Sequence, residues 1–274
     1  MVVEFKKITK SYDQSQRVID SLDLSIEAGE FITILGPSGC GKTTLLKMVN
    51  KLIPFDTGDI LVNNQSIQTW DTIKLRRSIG YVIQQIGLFP HMTIEDNISY
   101  VLSIEGIERR YRHERALKLM ELIGLEEAML SRYPVQLSGG QKQRIGVARA
   151  LAANPEIILM DEPFGAVDEI ARTLLQDELA KLHKQLKKTI LFVTHDIQEA
   201  LKLGTRVVIM NKGKIEQIGT KEELLFHPTS AFVSEFIGIK GFKSILDDQI
   251  LEKVYRQIRE NDGNMETLYK KLLI

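Results

Sequence analysis

Gly36-Pro37-Ser38-Gly39-Cys40-Gly41-Lys42-Thr43 carries the pattern G-x-x-x-x-G-K-[ST]. Glycines at this spacing let successive backbone N–H groups turn inward with no Cβ in the way. The result is a nest for an anion, with a mobile ammonium at Lys42 and a hydroxyl at Thr43. Phosphate groups are what such a nest holds: Lys42 supplies charge for the β- and γ-phosphates, and the Thr43 hydroxyl is placed to ligate Mg²⁺. Much later, the apolar run Ile157 to Met160 ends in Asp161-Glu162-Pro163. One carboxylate there can hold Mg²⁺, commonly through water, while the other orients or deprotonates an attacking water. Alone, two acids at a strand end read equally well as solvated edge charges; beside a phosphate nest they complete a phosphoryl-transfer site.

These groups work only if strands and helices bring them together. Val2 to Ile8 and Val18 to Ile26 alternate as strands do, the second ending at the turn Glu27-Ala28-Gly29. Phe31 to Leu35 is a short apolar run, as expected of a strand buried on both faces, and it leads into the glycine-rich turn. Lys42 to Leu52 then has helical spacing, so a positive dipole end faces the nest. Residues 93 to 150 read as helical throughout, with a capping pair at Thr93 and Asp96 and an apolar face of Ala116, Leu117, Leu119, Met120, Leu122 and Ile123. Strand patterns recur at 157–160, 190–193 and 207–210 with helical stretches between them, which predicts a parallel sheet with βαβ connections. Asn211-Lys212-Gly213-Lys214 reads as a hairpin turn, and Thr220 with Glu223 as a helix start. After Ile239 an apolar stripe (Phe242, Ile245, Leu246, Ile250, Val254, Ile258) predicts a helix that breaks at Asn261 to Asn264 before a short last one.

Composition narrows the function classes. The chain of 274 residues has 36 Lys plus Arg against 36 Asp plus Glu, and this zero net charge lacks the electrostatic footprint of a dedicated nucleic-acid binder. A single cysteine forms no internal disulfide, in keeping with a reducing compartment. No apolar stretch approaches the roughly 18 residues of a spanning helix, and MVVEFKKITK does not have the form of a signal peptide. The expectation is a cytoplasmic chain.

Leu137-Ser138-Gly139-Gly140-Gln141 lies between the phosphate loop and Asp161. By itself it reads as a helix N-cap followed by two glycines. In this order and at these distances it resembles the nucleotide-binding subunit of ATP-binding-cassette (ABC) transporters, over about residues 1 to 237. The resemblance implies an α/β fold: a P-loop NTPase (RecA-like) core with an N-terminal antiparallel β-subdomain and a helical insertion over about 93–150. It implies a cassette over 1–238 and a short helical tail over 239–274. It implies ATP and Mg²⁺ as cofactors, with the backbone of Gly36, Pro37, Ser38, Gly39, Cys40 and Gly41 and the side chains of Lys42, Thr43 and Thr44 around the phosphates. Tyr12 matches the aromatic that stacks on adenine, and Gln84 the glutamine at the Mg²⁺ and water site that reports to the membrane subunit; Gln85 beside it is the competing register. Asp161 matches the Mg²⁺ carboxylate with Thr43 and Gln84, Glu162 the catalytic acid, and His195 the histidine that contacts the γ-phosphate. Gly165-Ala166-Val167-Asp168 matches the loop that precedes the next helix, with Val167 where Leu is commoner. The implied mechanism is a head-to-tail dimer in which Ser138, Gly140 and Gln141 of one copy cover the ATP held by the other.

The stretch Arg76 to His91, Asp161 to Ala166, and His227-Pro228 followed by Phe232 to Gly238 are similar to the importer group for quaternary amines such as glycine betaine, carnitine and choline. That implies separate transmembrane permease subunits, indirectly a solute-binding protein, and a peripheral place on the cytoplasmic membrane face. About 36 residues follow Gly238, too few for the paired regulatory CBS domains that many members of that group carry. A soluble ABC ATPase acting on DNA or ribosomes is the competing class, but neither a long coiled-coil insertion nor a second cassette is present. An exporter with separate spans is the other alternative. Cys40 sits at a helix start that favours thiolate, although a tolerant loop position is the plainer reading.

Overall fold

The structure is a computed structural model, and it describes residues 1–12, 17–84, 87–165 and 167–245 together with Glu252 and Arg256. In chain order the elements are β1 (Val3–Ser11), β2 (Arg17–Ile26), β3 (Phe31–Leu35), α1 (Lys42–Val49), β4 (Thr57–Val62), β5 (Gln65–Ser66), α2 (Thr72–Ser78) and β6 (Ile79–Val82). Then come α3 (Ile94–Ile104), α4 (Arg109–Leu122), α5 (Gly139–Leu151), β7 (Ile157–Asp161), α6 (Glu169–Leu186), β8 (Thr189–Thr194) and α7 (Ile197–Leu203). The last are β9 (Arg206–Asn211), β10 (Lys214–Gly219), α8 (Lys221–Phe226) and α9 (Ala231–Ile245). A four-stranded sheet runs β2-β1-β4-β5, and a six-stranded one runs β10-β9-β3-β8-β7-β6. The first is antiparallel throughout; in the second only β10 opposes the rest.

Alternation along the central strands decides where the chemistry lands. Every residue of β3, β7 and β8 is buried, because helices cover both faces of this parallel sheet. Along β7, Ile157 and Leu159 join the core that contains α1, while Ile158 and Met160 join the core under the helical insertion. Period two therefore sends Asp161 to the α1 face, beside the phosphate loop. Along β8, Ile190 and Phe192 face the insertion side, so Thr194 points there too, toward α6. The loops after β3, β7 and β8 all leave the same carboxyl edge of the sheet, where open α/β sheets hold ligands.

Three expectations need correction. The first helix stops at Val49, not Leu52: Lys51 is left-handed (φ 50°), and Lys51 N–H and Leu52 N–H bond back to Met48 and Lys47. Residues 93–150 are not continuous helix. Gly106 and Gly124, both at positive φ, end α3 and α4 with the same bonding pattern, and short 3₁₀ turns fill the stretch before α5. At α3 the Thr93 hydroxyl accepts the Asp96 N–H at 3.1 Å, but the Asp96 carboxylate takes the Thr93 hydroxyl rather than its N–H, so the pair is half of a capping box. Thr220 and Glu223 form the complete box at α8. The hairpin turn at Lys212-Gly213 is as expected, with both residues at positive φ.

Gly238 interrupts α9 with φ 37° and ψ −144°. Leu246, Ile250, Val254 and Ile258, the break at Asn261 to Asn264 and the last helix lie outside the described residues, as do Gln85, Ile86 and Ala166. Among the described residues, no helix is long and apolar enough to cross a membrane.

Candidate functional site

The loop after β3 is braced from two sides. Gly213 N–H bonds the Cys40 carbonyl at 3.2 Å, and Asp20 N–H bonds the Gly213 carbonyl at 3.0 Å, so the β9–β10 hairpin and β2 both hold it. A methyl group on Gly36 would lie 2.2 Å from the Met210 carbonyl oxygen, which makes glycine obligatory there. Lys42, only 5% exposed, donates to the carbonyls of Gly36 (2.7 Å) and Pro37 (2.9 Å). An ammonium has three protons, and the third has only Cys40 Sγ, 4.0 Å away, so it is the one available to an anion. Burial pushes the Cys40 thiol up, against the pull of Lys42, which runs opposite to the thiolate alternative at this helix start.

Thr43 is the second residue of α1 and its hydroxyl donates to Asp161 Oδ1 at 2.7 Å. Next in the chain, Thr44 is in reach of the Tyr12 hydroxyl at 3.2 Å. The Tyr12 ring, 62% exposed, stands open as a shelf, with Lys10 Nζ 5.8 Å from its centroid. Asp161 is 3% exposed. Burial holds its carboxyl above the ordinary range, opposed by the Thr43 bond and the charges of Lys47 and Lys42 and reinforced by Glu162.

Glu162 has a left-handed backbone (φ 44°), a conformation that costs a non-glycine residue about 1–2 kcal/mol. Its N–H bonds the Val193 carbonyl at 2.9 Å and its carbonyl accepts the Gly165 N–H at 3.2 Å. This turn aims the carboxylate between two other loops. Gln84 Nε2 donates to Oε2 at 3.1 Å, and His195 Nδ1 approaches the same oxygen at 3.2 Å. Oε1 is left to accept a proton. With Nδ1–H directed at Glu162, a donor at Nε2 toward an anion requires the imidazolium form of His195.

A second group of expected residues sits on two helix starts. Ser138 caps α5, its hydroxyl accepting the Gln141 N–H at 3.3 Å while Gln141 Oε1 accepts the Ser138 N–H at 2.9 Å. Asp168 caps α6 through the Ala171 N–H at 3.0 Å. A Cβ on Gly139 would meet nothing within 4 Å, and one on Gly140 only Ala171 Cβ at 3.9 Å. The hydrogen bonds of Ser138, Gln141 and Asp168 thus close within their own helix starts. Those of Tyr12, Thr43, Gln84, Asp161, Glu162 and His195 knit a separate cluster around the phosphate loop. Sequence reasoning missed the bracing by Asp20 and Gly213, and also Arg172 and Glu199 behind the His195 loop. Glu199 had a signal: a lone acid followed by Ala200, Leu201 and Leu203 on a short helix, hence a charge on a buried face.

The family model for ABC transporters matches residues 19–165. This chain belongs to the ABC transporter family. The cassette is 52% identical over 237 residues to the glycine betaine/carnitine/choline transport ATP-binding protein OpuCA of Bacillus subtilis, covering 86% of this chain and 62% of that protein. It is 47% identical over 242 residues to the osmoprotectant import ATP-binding protein OsmV of Salmonella typhimurium, covering 86% and 63%. The ABC chain therefore spans about three-fifths of the length of these relatives. Among solved structures, the ATP-binding cassette MJ0796 in a dimeric post-hydrolysis state with ADP and Pi superposes with a TM-score of 0.71 at 36% identity, covering 80% of this cassette and 98% of that chain. An ABC cassette is thus the fold: an α/β core, an antiparallel β-subdomain and a helical insertion.

The buried Asp161 gives a stability prediction. Its folded pKa lies above the unfolded value, so the chain loses stability as pH rises through the folded pKa and regains it as pH falls. Asp161→Asn keeps an oxygen for the Thr43 hydroxyl and removes the buried charge. At about pH 7, without nucleotide or metal, it melts higher by about 2–4 °C per kcal/mol relieved. Thermal unfolding of both chains against pH checks this: the gap closes toward acid.

Proposed function

We propose that this cassette binds and hydrolyses ATP with Mg²⁺ as the energising subunit of an importer for a quaternary-amine osmoprotectant. The single observation that carries the chemistry is the convergence at one sheet edge of Lys42, Thr43, Gln84, Asp161, Glu162 and His195, joined by the bonds Thr43–Asp161, Gln84–Glu162 and His195–Glu162. The solute class is supported by OpuCA and OsmV, whose names give osmoprotectant transport and import.

The Thr43 hydroxyl and the Asp161 carboxylate, 2.7 Å apart, are the hard oxygen donors Mg²⁺ takes, with the Gln84 amide oxygen as a third. Bound there, Mg²⁺ would offset phosphate charge. Ser38, Gly39 and Gly41 present N–H groups to the phosphates, Lys42 adds its third proton, and Thr44 and Tyr12 flank the base side. Glu162 takes the proton of the attacking water at Oε1, while Gln84 and His195 hold its other oxygen still.

A second copy completes the site from the other side. The open approach to Gly139 and Gly140 leaves room for their N–H groups to meet phosphate oxygens held by a partner. Permease subunits in the membrane, served by a solute-binding protein, are the further partners, and the cassette sits on the membrane's cytoplasmic face. Uptake of labelled glycine betaine, carnitine and choline, in cells lacking other osmolyte transporters and given this chain with its permease, tests the reading. Uptake that vanishes with Lys42→Ala is expected. An assembled, ATP-hydrolysing complex that moves none of the three would remove the solute assignment.

A further inference from the structure

The loop presenting His195 is pinned from behind by side chains that the phosphate chemistry does not use. Thr194 Oγ1 donates to Glu199 Oε2 at 2.6 Å and accepts the Asp196 N–H at 3.0 Å. Glu199, 5% exposed on α7, also lies 3.4 Å from Gln176 Nε2 through Oε1. Asp196 accepts the N–H groups of Gln198 (2.8 Å) and Glu199 (3.1 Å) at the start of α7. Both chain neighbours of His195 are thus fixed, while its ring, 59% exposed, reaches Glu162.

Arg172 ties this cluster to the start of α6. Its Nη2 donates to the Val167 carbonyl at 3.0 Å, and Nη1 lies 3.9 Å from Asp196 Oδ2. Its Nε is buried without a hydrogen-bond partner and stands 4.0 Å from Glu199 Oε1. That gap is about 1 Å longer than a formed N–H···O bond. A carboxylate buried against one hydroxyl, an amide and a guanidinium held just out of reach is a poor stabilising device, because desolvation of the charge is only partly compensated. It is a good transmitter: a shift of about 1 Å at Val167 and Asp168 carries Arg172 with it and makes or breaks a charge-assisted bond.

We propose that Glu199 and Arg172 are positioning residues for hydrolysis, coupling the place of Val167–Asp168 to the orientation of His195. The inference rests on His195 being the histidine that contacts the γ-phosphate. Asp168 begins the helix whose Ala171 lies beside Gly140, so whatever seats on that surface has a side-chain route to His195.

A double-mutant cycle on the 274-residue chain tests this, with ATP hydrolysis, ATP affinity and melting temperature read together. Glu199→Ala lowers kcat by about 10- to 100-fold, the scale of a small misplacement of a reacting group. KM for ATP stays within about twofold, since nucleotide contacts are untouched. Glu199→Gln, whose amide oxygen still accepts the Thr194 hydroxyl, recovers most of kcat. In a His195→Ala background Glu199→Ala and Arg172→Gln change kcat by less than about twofold, because His195 alone passes on the effect. The ¹⁵N resonances of the His195 imidazole shift in Glu199→Ala without nucleotide. If Glu199→Ala does not fold, Thr194→Val, close in shape and lacking the hydroxyl, carries the same cycle. Equal losses in both backgrounds, or losses that track melting temperature, overturn the proposal and leave the hydrolytic reading intact. Unchanged hydrolysis in His195→Ala overturns that reading of His195, and the proposal with it.

Discussion

Glu162→Gln retains ATP binding, loses hydrolysis by about 10²–10⁴-fold and accumulates as a dimer in Mg-ATP. The substitution keeps shape and length, so the left-handed turn at residue 162 and its bonds to Val193 and Gly165 survive. What disappears is the proton acceptor. An amide cannot take a proton from water at neutral pH, while Gln84 and His195 still meet an oxygen of similar place. Without cleavage, the γ-phosphate goes on bridging two copies, and mass action holds the pair together for as long as ATP is bound. Light scattering in Mg-ATP is the measurement; a population that stays monomeric would sink the dimer.

Gly140→Asp abolishes hydrolysis and leaves the monomer's melting temperature unchanged. The neighbourhood explains both halves: a Cβ there meets only Ala171 Cβ at 3.9 Å, so the fold gains no clash, while a carboxylate at a helix start repels the phosphates that a partner would bring. Lys42→Ala is equally inactive for the opposite reason, lacking the ammonium of the phosphate nest. Mixing the two dead chains restores hydrolysis. In the mixed pair, the intact phosphate loop of the Gly140→Asp chain meets the intact Ser138-to-Gln141 segment of the Lys42→Ala chain. Were each site built from a single chain, the mixture would stay as inactive as its components, and the head-to-tail arrangement would be wrong.

The candidate site was legible in part because several of its residues sit at strand ends that announce themselves. Phe31 to Leu35, apolar but for Thr33, and Ile157 to Met160 are short buried runs, and the glycine-rich loop after the first and Asp161 after the second lie at the same edge. Elements without such contrast stayed hidden. β6 is only Ile79 to Val82, β5 is two residues, and α2 is a helix of Thr72 to Ser78 with Leu75 alone buried; each takes its identity from its neighbours. The insertion was overread as continuous helix because apolar spacing resumes after Gly106 and Gly124, and periodicity does not register a chain reversal. Arg172 and Glu199 were missed for a different reason. Their meaning lies in a contact between α6 and α7; the pattern around Glu199 announces a buried charge but not its partner on the other helix.

The hairpin between β9 and β10 has a practical consequence for anyone labelling this protein. Its tip, Lys212-Gly213, has the backbone of a two-residue hairpin turn with Lys212 exposed, the sort of place where a tag, a fluorophore or an inserted epitope is usually harmless, but Gly213 is buried. Here it is a poor choice. Gly213 lends its N–H to Cys40 and its carbonyl to Asp20, and a Cβ on it would lie 2.7 Å from the Val18 carbonyl oxygen. A graft at that turn pulls on the phosphate loop directly, so a reporter placed there would disturb the event it was meant to watch.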